Sequence, residues 1–196
     1  MSTYIIALPR TGSTTLTKAY SAEYGYSIYS EPWNIKSEYY NKLNLSNVTP
    51  DSKIVVKTMI EMVPKHSSRD ILDFHLNNIP RFKRVILLNR YDISQQAISL
   101  AIAKKTDTWT QKYKGIKITD EEELGSRYFL EWQNSYMELL ARETKLRIYY
   151  YEDLFHKDNT VRNNNLGEIG INSDRARNLL NPNYKYRVEP TENRML

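Results

Sequence analysis

Ile5-Ile6-Ala7-Leu8-Pro9-Arg10-Thr11-Gly12-Ser13-Thr14-Thr15-Leu16 is the stretch that decides the fold of this chain. The apolar run over 4–8 predicts a buried β-strand, stopped by Pro9, which has no amide hydrogen for a sheet ladder. Leu16, Ala19 and Tyr20 recur on one face at helical spacing and predict a helix over 14–24. Between the two lies a short turn of small, hydroxylated residues with one glycine. The amides that open a helix lack intrahelical acceptors, and the helix dipole favours negative charge there. Gly12 has no Cβ, so an anion can come close to the backbone. Thr11, Ser13, Thr14 and Thr15 add hydroxyl groups, and Arg10 adds a fixed positive charge. The turn over 9–15 is therefore expected to hold a phosphate-like group. The alternative is an ordinary strand-to-helix turn with a Ser or Thr cap.

Outward from this stretch the pattern alternates. Short strands are expected over 27–30, 53–58, 84–88 and 146–150. Helices are expected over 67–77, after Asp92 with Ile93, Ala97, Leu100 and Ala101 on one face, and more weakly over 173–180. Asp120 with Glu123 reads as a capping box opening a long helix, with an inner stripe of Phe129, Trp132, Tyr136, Leu139 and Leu140. Strands alternating with helices imply an α/β fold of three layers, α/β/α, around a central parallel sheet with a P-loop-like turn. Ligands of such sheets bind beyond the carboxyl ends of the strands. No internal repeat or linker divides the chain, so residues 1–196 are expected to form a single domain.

Of the 196 residues, 40% are hydrophobic and 26% charged, the balance of a folded chain. Cysteine is absent, which excludes a disulfide frame and thiolate metal sites. His66, His75 and His156 lack ligand spacing, so no metal is expected. The formal charge of +5 suggests an anionic partner: a nucleotide, a sulfated sugar, nucleic acid or a membrane surface. Basic and acidic residues are interleaved, which argues against nucleic acid. No apolar run reaches bilayer length, and Met1-Ser2-Thr3-Tyr4 shows no basic leader. A cytoplasmic protein away from the membrane is expected.

The turn is not a Walker A loop, because its basic residue precedes the only glycine. Pro9-Arg10-Thr11-Gly12-Ser13-Thr14-Thr15 instead resembles the 5′-phosphosulfate loop of sulfotransferases that use 3′-phosphoadenylyl sulfate (PAPS). Arg84-Val85-Ile86-Leu87-Leu88-Asn89-Arg90-Tyr91-Asp92, continued by Gln96-Ala97-Ile98-Ser99-Leu100, looks like that family's 3′-phosphate strand and helix, closest to its bacterial trehalose-type, carbohydrate-sulfating branch. Tyr150-Tyr151-Glu152-Asp153-Leu154 is similar to a segment following a late strand in the same family. The three pieces stand in family order over about 5–154. The resemblance implies PAPS as donor, PAP as product, a hydroxyl or amine acceptor such as a carbohydrate, and no metal. It also implies a 3′-phosphate site at Arg90 and Ser99. The chain departs from the pattern at Tyr91, where the family carries Arg; either Tyr91 or Arg90 faces the nucleotide. Ser99 is either a phosphate ligand or a small packing residue. The family's C-terminal Arg-Lys-Gly loop is not visible, and Lys185, Arg187 and Arg194 are the basic residues available near its place.

For the acceptor proton, Ser30-Glu31-Pro32-Trp33 resembles a Glu-Pro-aromatic segment of carbohydrate sulfotransferases and nominates Glu31. The trehalose-type branch puts its glutamate two residues beyond the proline, where this chain has Asn34. Glu31 is thus either a relocated base or a polar strand end. Lys57 stands where the family carries a lysine near the sulfuryl group, or it is a solvated strand terminus. The histidine base of the cytosolic branch is replaced by Met59, and His66 and Glu61 are the next candidates. Trp33, Tyr39, Tyr40, Trp109 and Tyr113 offer aromatic platforms for a sugar or adenine. Two other readings stand beside this one: a P-loop-type small-molecule kinase, and a sulfotransferase fold that binds nucleotide without turnover.

Overall fold

The computed structural model describes residues 1–64, 71–107 and 116–181. Its sheet is built from β1 (Thr3–Ala7), β2 (Ser27–Ser30), β3 (Ile54–Met59), β4 (Arg84–Asn89) and β5 (Ile148–Tyr150). All neighbours run parallel, in the order β2-β3-β1-β4-β5. Every residue of the central strand β1 is buried, as expected of a strand covered on both faces. Register aligns Ile5 with Lys57 on one side and Ile86 on the other.

Side-chain alternation along the strands sorts the core into two clusters. Ile5, Ala7, Val55, Ile86 and Leu88 face α1 (Ser13–Tyr24), α6 (Asn159–Glu168) and α7 (Asp174–Leu179) through Leu16, Ala19, Tyr20, Leu166 and Ala176. Tyr4, Ile6, Val56 and Leu87 face the other way. They pack with Ala97 and Leu100 of α3 (Ile93–Thr106) and with Leu130, Met137 and Leu140 of α4 (Asp120–Thr144). Leu72 and Leu76 of α2 (Ile71–Asn78) border the same cluster. A five-stranded parallel sheet is therefore flanked by helices on both faces, and the α/β expectation stands.

Several local expectations need correction. The capping box of α4 lies one residue earlier than expected. Thr119, in extended conformation, accepts from the Glu122 amide at 3.2 Å, and Glu122 accepts from the Thr119 amide at 2.8 Å. Asp120 is instead the first helical residue, where its charge suits the dipole. The buried stripe of α4 is Ser126, Leu130, Gln133, Met137 and Leu140. Of the expected stripe only Leu140 is fully buried, and Trp132 is 43% exposed. The aromatic residues suggested one stripe, whereas Leu130 and Met137 share the buried face with Ser126, Gln133 and Leu140. The last strand starts two residues later than expected, since α4 runs to Thr144 and Lys145 caps it in the left-handed region, and it ends at Tyr150 where α5 (Tyr151–Leu154) begins. Helix α6 went unseen, since its buried positions are Arg162 and Leu166 and carry no apolar period. Of the helix expected over 67–77, residues 67–70 lie outside the described residues.

The strand order places a topological switch at the centre of the sheet. The chain leaves β1 toward β2 on one side and leaves β4 toward β5 on the other. In parallel sheets ligands bind in the crevice beyond the carboxyl ends of the strands at such a switch, here β1 and β4. Among the described residues no helix is long and apolar enough to cross a membrane.

Candidate functional site

The turn after β1 occupies that crevice. Leu8 donates to the Leu88 carbonyl at 3.1 Å, and then Arg10 (φ 64°) and Gly12 (φ 73°) both enter the left-handed region. The Thr11 hydroxyl donates to the Leu8 carbonyl at 2.8 Å and the residue is buried. Thr11 thus closes the turn rather than offering its hydroxyl outward, a correction to its expected ligand role. The expected reason for Gly12 also changes. A Cβ there would lie 2.8 Å from the Phe155 ring and 3.0 Å from the Tyr151 ring. Glycine is required by the left-handed backbone and by these two aromatic rings.

Helix α1 starts with Gly12 as its N-cap and no side-chain cap, so no Ser or Thr caps it. The first bond of its ladder runs from the Leu16 amide to the Gly12 carbonyl at 3.1 Å. The amides of Ser13, Thr14 and Thr15 precede that ladder. Ser13 is buried, Thr15 half-buried and Thr14 exposed.

Helix α3 supports the turn from the side. Gln96 donates to the Pro9 carbonyl at 2.6 Å, and Arg10 Nε donates to Ser99 Oγ at 2.8 Å. Asp92 caps α3 by accepting from the Gln95 amide at 2.9 Å. Arg90 donates to Glu152 at 3.2 Å and to Gln95 at 3.1 Å, and its guanidinium lies 4.9 Å from the Tyr151 ring centre. Tyr151 is the ring that borders Gly12. Burial lowers the Arg10 pKa, and the nearby positive charge of Arg90 lowers it further. Tyr91, 59% exposed, stacks instead on Tyr150 at 3.7 Å between centroids. Arg90 is therefore the member of the Arg90–Tyr91 pair that lies on the side of the turn over 9–15. Glu152, which also accepts from the Tyr91 amide at 3.0 Å, anchors the start of α3.

A second polar group lies at the ends of β2 and β3. Glu31 adopts φ 53° just after β2, and its amide donates to the Lys57 carbonyl at 2.6 Å. Its carboxylate pairs with Lys57 and accepts from Asn34 at 2.7 Å. Lys57 is 1% exposed, so the solvated-terminus reading is overturned. Burial pushes the Glu31 pKa up. The charge of Lys57, with the hydrogen bonds from Lys57 and Asn34, outweighs it and holds the carboxylate below its usual value. Asn34, at the place the trehalose-type branch gives to its glutamate, here supports Glu31.

Glu61 follows β3 and is half-buried, with Oε2 buried and without a hydrogen-bond partner. Burial pushes its carboxyl up to about 7. Its own backbone amide, the nearby Gln133 amide and, more weakly, Lys57 oppose that rise, while the charge of Glu31 adds to it. Gln133 is 0% exposed, and neither of its amide atoms makes a hydrogen bond of good geometry. Nothing in the sequence marked Gln133, because its position on α4 reads as the polar side of an aromatic stripe.

Trp33, two residues beyond Glu31, packs edge-on against Phe74 at 5.0 Å. With Asn44, Asn77 and Pro64 it lines a cavity of about 400 Å³. Tyr39 leans on Tyr29 and Tyr40 is exposed. His66, Trp109, Tyr113, Lys185, Arg187 and Arg194 lie outside the described residues. Among the described residues no three His, Asp or Glu side chains gather in a way that could hold a metal ion. A scan against protein-family models finds no match to this chain, and a comparison with curated proteins finds none either.

Proposed function

We propose that this protein is a sulfotransferase that moves the sulfuryl group of PAPS to a hydroxyl or amine acceptor by in-line displacement. The observation that carries the reading is the placement of Arg10, bonded to Ser99, and of Arg90, over the Tyr151 ring that borders Gly12, beside the start of α1 at the sheet's switch point. Arg90 already pairs with Glu152 at 3.2 Å, and a phosphate bound beside the two guanidiniums would add charge-assisted bonds to both. The order Pro9-Arg10-Thr11-Gly12-Ser13-Thr14-Thr15 supports a sulfuryl rather than a phosphoryl donor.

In this reading the amides of Ser13, Thr14 and Thr15, with Arg10, take the 5′-phosphosulfate and stabilise the charge left on the departing phosphate. Arg90 and Ser99 take the 3′-phosphate. Ser99 Oγ accepts from Arg10, so its own hydroxyl hydrogen can go to a phosphate oxygen. The acceptor approaches from the side of Glu31, Lys57 and Glu61, with Lys57 close to the transferring group. An aromatic face beside amide side chains, as around Trp33, suits a neutral sugar.

Calorimetric titration tests the nucleotide half. PAP should bind about 10-fold or more tightly than 5′-AMP, because the 3′-phosphate adds charge-assisted bonds. Equal affinity for the two nucleotides would overturn the reading. A PAPS assay against pooled mono- and disaccharides then tests transfer, and PAP binding without transfer would point to a fold that has lost turnover.

A further inference from the structure

We propose that Glu61, backed by Gln133, takes the acceptor's proton, and that Glu31 serves as the counter-ion that keeps Lys57 charged. The inference rests on the sulfotransferase reading and divides the labour within its site. Glu31 is poorly placed to accept a proton. Protonating it would strip the counter-ion from a lysine that is 1% exposed, and a buried ammonium without a partner is strongly unfavourable.

Glu61 carries no such burden. Its inner oxygen, Oε2, is buried and makes no hydrogen bond of good geometry, and the residue as a whole is half-buried. Gln133 presents a fully buried amide to the same region, near enough to favour the charged form of Glu61 but without a hydrogen bond of good geometry. Buried polar groups are rarely left this way unless a ligand or water completes them. The charged groups facing Glu61 are Glu31 from the end of β2 and Lys57 from β3; Gln133 faces it from α4 and is neutral. From α2, His75 accepts from Tyr4 on one ring nitrogen and bonds the Ile60 carbonyl with the other, which leaves it neutral. Burial and Glu31 together place the Glu61 carboxyl near neutrality, where a general base works best.

The step balances as follows. The acceptor oxygen forms a bond to sulfur while the bond from sulfur to the phosphate oxygen of PAPS breaks. The electron pair leaves on the phosphate of PAP, and the acceptor's proton passes to Glu61.

The test follows PAP release from PAPS between pH 5.5 and 8.5, with water and a mixture of mono- and disaccharides as acceptors. PAP affinity is measured on the same preparations. Wild-type turnover should fall on the acid side with an apparent pKa near 7. Glu61→Gln should lower turnover by about 100-fold or more and abolish that limb, with PAP affinity within about twofold of wild type. Glu61→Asp should recover part of the rate with a displaced limb, which a structural role alone would not produce. The double variant Glu31→Gln/Lys57→Met should keep the limb near pH 7. A limb that persists in Glu61→Gln, or that vanishes with Glu31 instead, overturns this proposal alone. Wild-type protein that neither binds PAP nor releases it from PAPS overturns the sulfotransferase reading, and this proposal with it.

Discussion

Arg10 Nε donates to Ser99 Oγ at 2.8 Å, joining the turn after the first strand to a helix 89 residues later. The bond holds a guanidinium that stands on a left-handed residue against α3. It also brings the two expected phosphate positions into one unit, since Arg90 acts on Arg10 through its charge.

Ser99→Ala removes that bond without removing a charge. PAP affinity should fall by about 1 kcal/mol, whereas Arg10→Ala should remove about 1.5–3 kcal/mol. Melting temperature should hardly move in either variant, because neither side chain packs in a core cluster. Calorimetry on both variants checks the order; an Arg10→Ala protein that binds PAP like wild type contradicts the assignment of the turn.

Gly12→Ala is expected to fail structurally. The left-handed φ alone disfavours alanine by about 1–2 kcal/mol. The added methyl also meets the Phe155 ring at 2.8 Å, and overpacking of that kind typically adds about 1–3 kcal/mol. Urea denaturation should show a combined loss of about 2–5 kcal/mol, with the double variant Gly12→Ala/Phe155→Leu recovering none of the backbone part. Wild-type stability in Gly12→Ala would mean that the turn adopts another conformation.

Glu31→Gln cannot be treated as a silent removal of a base. It leaves Lys57 buried with no carboxylate partner. The loss for a fully buried pair is about 3–5 kcal/mol, and the partial exposure of Glu31 lowers the expectation to about 2–3 kcal/mol. Replacing both partners, as Glu31→Gln/Lys57→Met, should restore most of it. If the single variant is as stable as wild type, Lys57 has found water or another acceptor.

Two buried groups should mask each other in the pH dependence of stability. His75 is pushed down to about 4 by burial, so the unfolded chain binds more protons than the native one between about pH 4 and 6.5. That contribution makes stability rise with pH. Glu61 is pushed up to about 7 by burial, so the native chain binds more protons between about pH 4.5 and 7, and that contribution makes stability fall. Each is worth about 3 kcal/mol at most, with opposite sign. In Glu61→Gln only the histidine contribution remains, and stability should climb by about 3 kcal/mol more than wild type from pH 4.5 to 6.5. Denaturant midpoints across that range provide the check, and superimposable profiles would place the Glu61 pKa at an ordinary carboxylate value.

The sequence alone determined the α/β layering, the parallel sheet and the strand–turn–helix at 9–15. These depend on local periods: apolar runs bounded by Pro9 and by polar segments, and Leu16, Ala19 and Tyr20 on one helical face. The residue types of the candidate site were legible for the same reason, since Arg10, Glu31, Lys57, Arg90 and Ser99 all sit just after or within recognisable elements. What the side chains do was decided only by the tertiary structure. Thr11 turns inward to Leu8, Gly12 makes room for Phe155 from 143 positions away, and Lys57 is buried against Glu31 rather than solvated. Arg90 rather than Tyr91 lies on the side of the turn because Tyr150 offers Tyr91 a stacking partner. Apart from the Thr11 bond, each of these depends on a neighbour remote in the chain. Burial and charge environment are sums over such neighbours, and no local period in the sequence carries them.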